Sequence, residues 1–502
     1  MNAAPAAVQG SAGGLALLGI AALTLALIIA TGGSMAATAA PVLAAAVLYA
    51  ALRARLHTCV VALFFLALIA DAPQDHPMDG LWRSPLYFIG QVLCSNWSTS
   101  FGIPGASFSG MDLFALLLLA RIVHERPRNA PTASVLRLAL MIFFGTVLAL
   151  GAVGYARGGS MGSAYWQVRQ LLFLPVFAYI LGEALADYRV LGRVVLTAAL
   201  VKVAAGLYFY FAIARPRGLH PPFITSHSDT LLFCLSITLL LVRWLERPDP
   251  ASLRRCLWAV PLIMTAVWLN NRRMAYVGLG AVLLTIGLLT PWTRAKRAAA
   301  RLGLVLVPLF GAYVVIGWSS AAPVFKPVAS IRTIVATRDG NQAADSSTRS
   351  REIENYNLSQ TLRQHPLGTG LGHGYEEVVK GPDISRDFAL YRYIPHNSVL
   401  WLLSAGGPLG FFLLWSLFVV GIYLAARSHR MAETPGQRMA ALGALSAQTL
   451  FLIQAWGDMG TQNWSTTWLV AAALAVSGRL SVETAAWPSR SPALEPLWIP
   501  QG

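Results

Sequence analysis

Residues 398–425 read SVLWLLSAGGPLGFFLLWSLFVVGIYLA, a run without one charged side chain. A helix rises about 1.5 Å per residue and a hydrocarbon core is about 30 Å thick, so this stretch is long enough to cross a bilayer. Runs of the same character lie on both sides of it. They predict helices at 14–31, 35–52, 57–71, 107–123, 135–154, 166–186, 190–212, 227–242, 256–270, 274–290, 302–318, 438–456 and 463–479. With 398–425 the count is about 14, or about 12 to 14 if short runs such as 57–71 and 256–270 are re-entrant. Composition agrees, because 12% of the chain is charged against about 25% in an average soluble domain. The expected fold class is all-α, a polytopic transmembrane helical bundle.

The expected organisation is a first helical block within 1–318, one long loop at 319–397, a second block at 398–480 and a tail at 481–502. No Lys or Arg precedes Arg53, so the first run lacks the positive region of a signal peptide and reads as a retained helix. Thr31-Gly-Gly-Ser34 would turn it into a hairpin with the second run. Cys59, Cys94, Cys234 and Cys256 are scattered, with neither a disulfide framework nor metal-thiolate spacing.

Charge orients the bundle. Loops on one side collect Arg53, Arg55, Arg121, Arg126, Arg128, Arg137, Arg189, Arg193, Arg243, Arg247, Arg294, Lys296, Arg427, Arg430 and Arg438. The positive-inside rule makes that side cytoplasmic and puts 319–397 in the periplasm. Short loops on the opposite side should be poor in arginine, yet Arg169, Arg215, Arg217, Arg272 and Arg273 fall at outer helix ends. Snorkelling to lipid phosphates or pairing with carboxylates accounts for any one of them. As a set they point to an anionic ligand, and the planar guanidinium fork fits a lipid pyrophosphate. Nucleic acid is a poor fit on that side despite the +16 formal charge.

Other polar residues carry two readings each. Lys202, inside the 190–212 run, either faces an internal cavity or lays its stem along neighbouring helices. His220, His227 and Asp229 share one outer loop at a spacing that matches no common zinc pattern, leaving sugar contact or solvation. Trp82, Trp97, Trp166, Trp318, Trp401 and Trp464 form an expected interfacial belt, with stacking on a sugar ring as the alternative.

A loop as long as 319–397 is usually functional or disordered. Ser346-Ser-Thr-Arg-Ser-Arg351 opens a predicted helix with Ile353, Tyr356 and Leu362 as apolar contacts. His365-Pro-Leu-Gly-Thr-Gly-Leu-Gly-His-Gly374 follows, its alternating glycines permitting a tight turn or a close backbone approach. The chain re-enters the membrane through Tyr393-Ile-Pro-His-Asn-Ser398, which puts His396 and Asn397 at the outer interface.

Pro395-His-Asn397, followed by Gly406-Gly-Pro-Leu-Gly410 and preceded by His365-Pro-Leu-Gly-Thr-Gly370, resembles the bacterial O-antigen ligase and polysaccharide polymerase superfamily. Asn271-Arg-Arg-Met-Ala-Tyr276 is similar to that family's Ser-Arg-Gly-Ala-aromatic segment, with Arg273 on the arginine position. Arg215-Pro-Arg-Gly-Leu219 is similar to its arginine-glycine turn, with Arg217 the better match, and Arg351 falls where the family often has another arginine. Two departures concern the acceptor: Ala405 stands where an acidic residue is common, and Ser226-His-Ser-Asp229 replaces a proline-asparagine pair.

The resemblance implies a GT-C-like, metal-independent, inverting glycosyltransferase with no cofactor, in a bacterial inner membrane. Its donor would be an undecaprenyl-pyrophosphate-linked glycan and its acceptor another glycan. Polysaccharide export and assembly proteins would be its partners. His396 suits the role of base for an acceptor hydroxyl. Arg217 and Arg273 would stabilise the departing pyrophosphate, with Arg215, Arg272, Arg351, Asn397 and Arg169 as substrate contacts. The expected activity is a polysaccharide polymerase, with O-antigen ligase as the alternative. A lipid-linked glycan flippase is the reading from another class; the chain shows no internal repeat and few charges in mid-span, which favours the transferase.

Overall fold

The computed structural model describes residues 18–26, 29, 35–71, 84–98, 107–125, 132–185, 187–320, 322–325, 327–328, 332, 346–381, 383, 390–458, 461 and 463–488. Among them the fold is helical throughout, with no strand. The principal helices are α1 (Met35–Arg53), α2 (Leu56–Ile69), α3 (Pro85–Leu93), α4 (Gly110–Glu125), α5 (Ser134–Ala156), α6 (Met161–Ala184) and α7 (Arg189–Tyr208). They continue as α8 (Asp229–Glu246), α9 (Pro250–Leu269), α10 (Arg273–Leu289), α11 (Arg294–Gly317), α12 (Ser346–Gln364), α13 (Ser398–Met431), α14 (Pro435–Gly457) and α15 (Trp464–Glu483). Each predicted span falls on a helix. The 14–31 run is described only in part, and its Thr31–Ser34 turn and Trp82 lie outside the described residues.

Seven of these helices are long and apolar enough to cross a membrane, and α2 and α10 are shorter apolar ones. This is a multi-pass membrane protein. Its exterior is what lipid tolerates and water does not: Leu288, Leu304, Val315, Leu409 and Phe412 are each at least 69% exposed.

The more apolar helices are not the more buried ones. The span on α11 has mean hydropathy 2.0 and no buried residue, whereas that on α15 has 1.2 and is 94% buried. Lipid tails are as apolar as leucine, so burying apolar surface in a bilayer gains little, and small or polar side chains that pack and hydrogen-bond belong inside. α15 supplies them. Its Ser465, Thr466, Thr467, Ser477 and Ser481 and its alanines lie in the interior against α6, α13 and α14.

Arg169 and Lys202, both fully buried, are paired with carboxylates. Arg169 of α6 binds Asp112 and Ser109 at the start of α4. Lys202 of α7 lies between Asp71, at the end of α2, and Asp229, at the start of α8, with its Nζ 3.1 Å from the Asp229 carboxylate and 3.0 Å from the Ala70 carbonyl. Lys202 is thus anchored by two carboxylates rather than extended along its neighbours. Asp229, expected in an outer loop with sugar contact or solvation as its role, is 1% exposed and opens α8. Trp401 and Trp464 are buried as well and so do not face outward; the Trp464 ring stands 5.2 Å from the Arg169 guanidinium, a cation–π contact.

Candidate active site

α13 is two helices in one. At Gly407 the backbone turns to φ 60° and ψ −175°, immediately before Pro408. Proline has no N–H, so the carbonyl four residues earlier, that of Ser404, loses its helical donor, and the break frees its neighbour. A freed carbonyl inside a membrane protein needs a replacement partner. The glycine-rich segment provides it: Thr369 N donates to Ser404 O at 3.1 Å and Gly370 N to Ala405 O at 2.9 Å. The two glycine motifs are the two halves of one joint.

That joint is also fastened to α5 and α6. Leu371 N donates to Leu150 O, and Ser160 N to Gly372 O, both at 3.0 Å. Gln167 spans three backbone groups, donating to His373 O (2.8 Å) and Tyr393 O (2.9 Å) and accepting from Gly372 N (2.6 Å). Arg157 donates to Gly368 O. Such close approach requires glycine. Gly372 has φ 91°, and a Cβ there would lie 2.7 Å from Ser160 O.

The residue that the joint positions is His396. Glu354 of α12 accepts from the His396 backbone N–H at 2.9 Å and faces its Nδ1 at 3.1 Å. The ring's Nε2 has no hydrogen bond among the described residues. Asn397 caps α13, its Oδ1 accepting from Leu400 N at 3.0 Å. Ser398 then meets Thr461 across 3.0 Å, tying this end of α13 to the segment between α14 and α15.

α12 forms where predicted but turns a different face inward. Glu354, Asn357, Leu358 and Thr361 are buried, whereas Tyr356 is 46% exposed. The inward face is held by polar pairs: Asn357 exchanges hydrogen bonds with the Val379 backbone at 2.8 and 2.9 Å, and Thr361 accepts from Glu376 N at 2.9 Å. Tyr375 borders the same region. Burial first, then the charges of Glu354 and Glu377, push its phenol up, so it stays a neutral donor.

The arginines fall into separate groups. α7 ends in a π-helical turn, Phe209–Ala214, and a 3₁₀ turn, Arg215–Arg217, closed by Gly218 at φ 67°. Arg215 and Arg217 are exposed on it. Arg272 contacts His227 and lies 5.7 Å from the Phe223 ring, and Arg273 opens α10 after Asn271 at φ 52°. Asn270 ties the end of α9 to the segment before α8, accepting from Ile224 N and Thr225 N at 3.0 Å each. A small cavity beside Arg272 reaches Gln454 and Asp458 of the α14 end, the segment that continues to Thr461.

The predicted residues therefore divide four ways. His396, Asn397 and Arg351 gather around the α12–α13 contact, whereas Arg215 and Arg217 lie on the turn after α7, and Arg272 and Arg273 lie at the start of α10. Arg169 is not presented to any of these groups: it is 1% exposed, bound to Asp112 and flanked by Trp166 at 5.1 Å. Glu354 is the residue that sequence reading missed. Its signal was its place three residues after Arg351, on the same helical face. Among the described residues, no three His, Cys, Asp or Glu side chains converge as a metal site.

Residues 258–415 match a protein family described as O-antigen ligase. The match takes in Arg272, Arg273, Arg351, Glu354, the glycine joint and His396, and it makes this stretch of the chain similar to the O-antigen ligase and polysaccharide polymerase superfamily. That match supports a membrane glycosyltransferase of the O-antigen ligase type in general. No curated protein matches the chain.

Proposed function

We propose that the protein is an inverting, metal-independent glycosyltransferase of a bacterial inner membrane, joining an undecaprenyl-pyrophosphate-linked glycan to an acceptor glycan on the periplasmic side. A polysaccharide polymerase is the preferred form. The observation that carries the reading is the Glu354–His396 pair at the membrane entry of α13. A sugar hydroxyl attacks only as its proton leaves, and an imidazole whose Nδ1 is held by a carboxylate can take that proton on Nε2. The hydroxyl oxygen bonds to the anomeric carbon as the bond from that carbon to the pyrophosphate oxygen breaks.

Negative charge grows on the departing pyrophosphate. Arg217 and Arg273 are the groups assigned to meet it, with Arg215 and Arg272 beside them, in the role a divalent ion plays elsewhere. Arg351 and Asn397 contact substrate next to the base. The division into a helical block at 1–318, a periplasmic segment at 319–397, a second helical block at 398–480 and a cytoplasmic tail at 481–502 belongs to the same proposal.

The test is transfer by the purified full chain in nanodiscs, using lipid-linked glycan extracted from the source cells. His396→Ala should lower turnover by about 10²- to 10⁴-fold with its melting temperature unchanged. Near-normal turnover would remove the base. A ladder of lengthening products supports the polymerase, whereas one transfer onto lipid A core supports the ligase.

A further inference from the structure

Around the Glu354–His396 pair three buried polar atoms have no partner among the described residues: Arg351 Nε, Asn355 Oδ1 and Asn397 Nδ2. Arg351 and Asn355 are four residues apart on α12, one turn apart on one face, with Glu354 between them. Asn397 follows His396 and is 3% exposed. Its orientation is set by the cap, because Oδ1 accepts from Leu400 N and the amide NH₂ must point the other way. Buried polar atoms are nearly always satisfied, so a cluster of unsatisfied ones marks a place where something else binds.

The chemistry of the three atoms names what that is. Two are donors and one is an acceptor. A phosphate offers only acceptors and would be repelled by Asn355 Oδ1, whereas a hydroxyl can donate to that oxygen and accept from Asn397 Nδ2 or Arg351 Nε. We infer that Arg351, Asn355 and Asn397 form a subsite for the ring hydroxyls of the acceptor sugar, beside the hydroxyl that His396 deprotonates. The inference rests on the transferase reading and deepens it. It separates the two arginine groups by ligand: Arg351 faces a neutral polyol, and the donor-only set at Arg217 and Arg273 faces the pyrophosphate.

Steady-state transfer in nanodiscs tests it, with lipid-linked glycan from the source cells as donor and the polysaccharide fraction of the same cells as acceptor. Asn355→Leu should raise the acceptor KM by about tenfold while leaving the donor KM unchanged. Asn355→Ser keeps a neutral oxygen that can accept and should raise the acceptor KM less, by about threefold. Thermal unfolding of both variants should match the parent, since Asn355 Oδ1 makes no internal bond to lose. An unchanged acceptor KM in Asn355→Leu, or a rise in the donor KM alone, overturns the subsite while the transferase reading stands. Absence of turnover in the parent chain, with a donor that a known transferase accepts, sinks both.

Discussion

Arg169 and Arg217 look alike in the sequence, each at the end of a hydrophobic run on the arginine-rich face, and the structure treats them as opposites. Arg169 is sealed against Asp112 and three aromatic rings, whereas Arg217 stands exposed on a turn held by π and 3₁₀ geometry. Burying a guanidinium costs several kcal/mol unless a partner is fixed in place, so a sealed arginine is committed to the fold. An open arginine beside a tight turn is free for a ligand. A carboxylate in reach, and not position along the chain, decides which role a membrane arginine takes.

The comparison can be broken at its sealed end first. Arg169→Ala leaves Asp112 buried without its charge partner and should cost about 3–5 kcal/mol, seen as a large fall in the detergent melting temperature. Replacing both residues, Arg169→Met with Asp112→Leu, should return most of it. If the single variant melts normally, Arg169 is not a structural arginine. At the open end, Arg217→Ala should leave melting unchanged and lower turnover by about 10²-fold, near 3 kcal/mol of barrier. Equal loss of stability in both variants would erase the distinction.

Smaller effects sharpen it. Gly372→Ala forces a side chain into the left-handed region against Ser160, and strain of about 1–3 kcal/mol should loosen the joint. Turnover should fall while Arg217-dependent donor binding, measured by equilibrium binding of the same lipid-linked glycan, holds. Glu354→Gln keeps an oxygen for the His396 backbone N–H but removes the charge facing its ring, so turnover should drop by about tenfold with melting unchanged. A larger loss of stability than of rate would make Glu354 a packing residue.

The helices were legible because each apolar run is long and bounded by arginines or turn residues, and lipid admits few alternatives to a helix. The tight-turn reading of 365–374 also held, since alternating glycines leave few other conformations. The inward face of α12 was not legible. Apolar spacing pointed to Ile353, Tyr356 and Leu362, but that face is built from Glu354, Asn357 and Thr361, whose partners lie 15 to 42 residues further along the chain. Polar contacts of that reach leave no periodic trace. The same limit hid Asp112 and Asp229, each of which finds its charge partner on another helix.

The break at Gly407 has one more consequence. Because the carbonyls it frees are taken up by Thr369 and Gly370, and Leu371 bonds Leu150, the register of the glycine segment is keyed to α13 and α5. The chemistry depends on that register. A single residue inserted between Gly368 and Gly372 should throw it out, as a slipped tooth stops a ratchet.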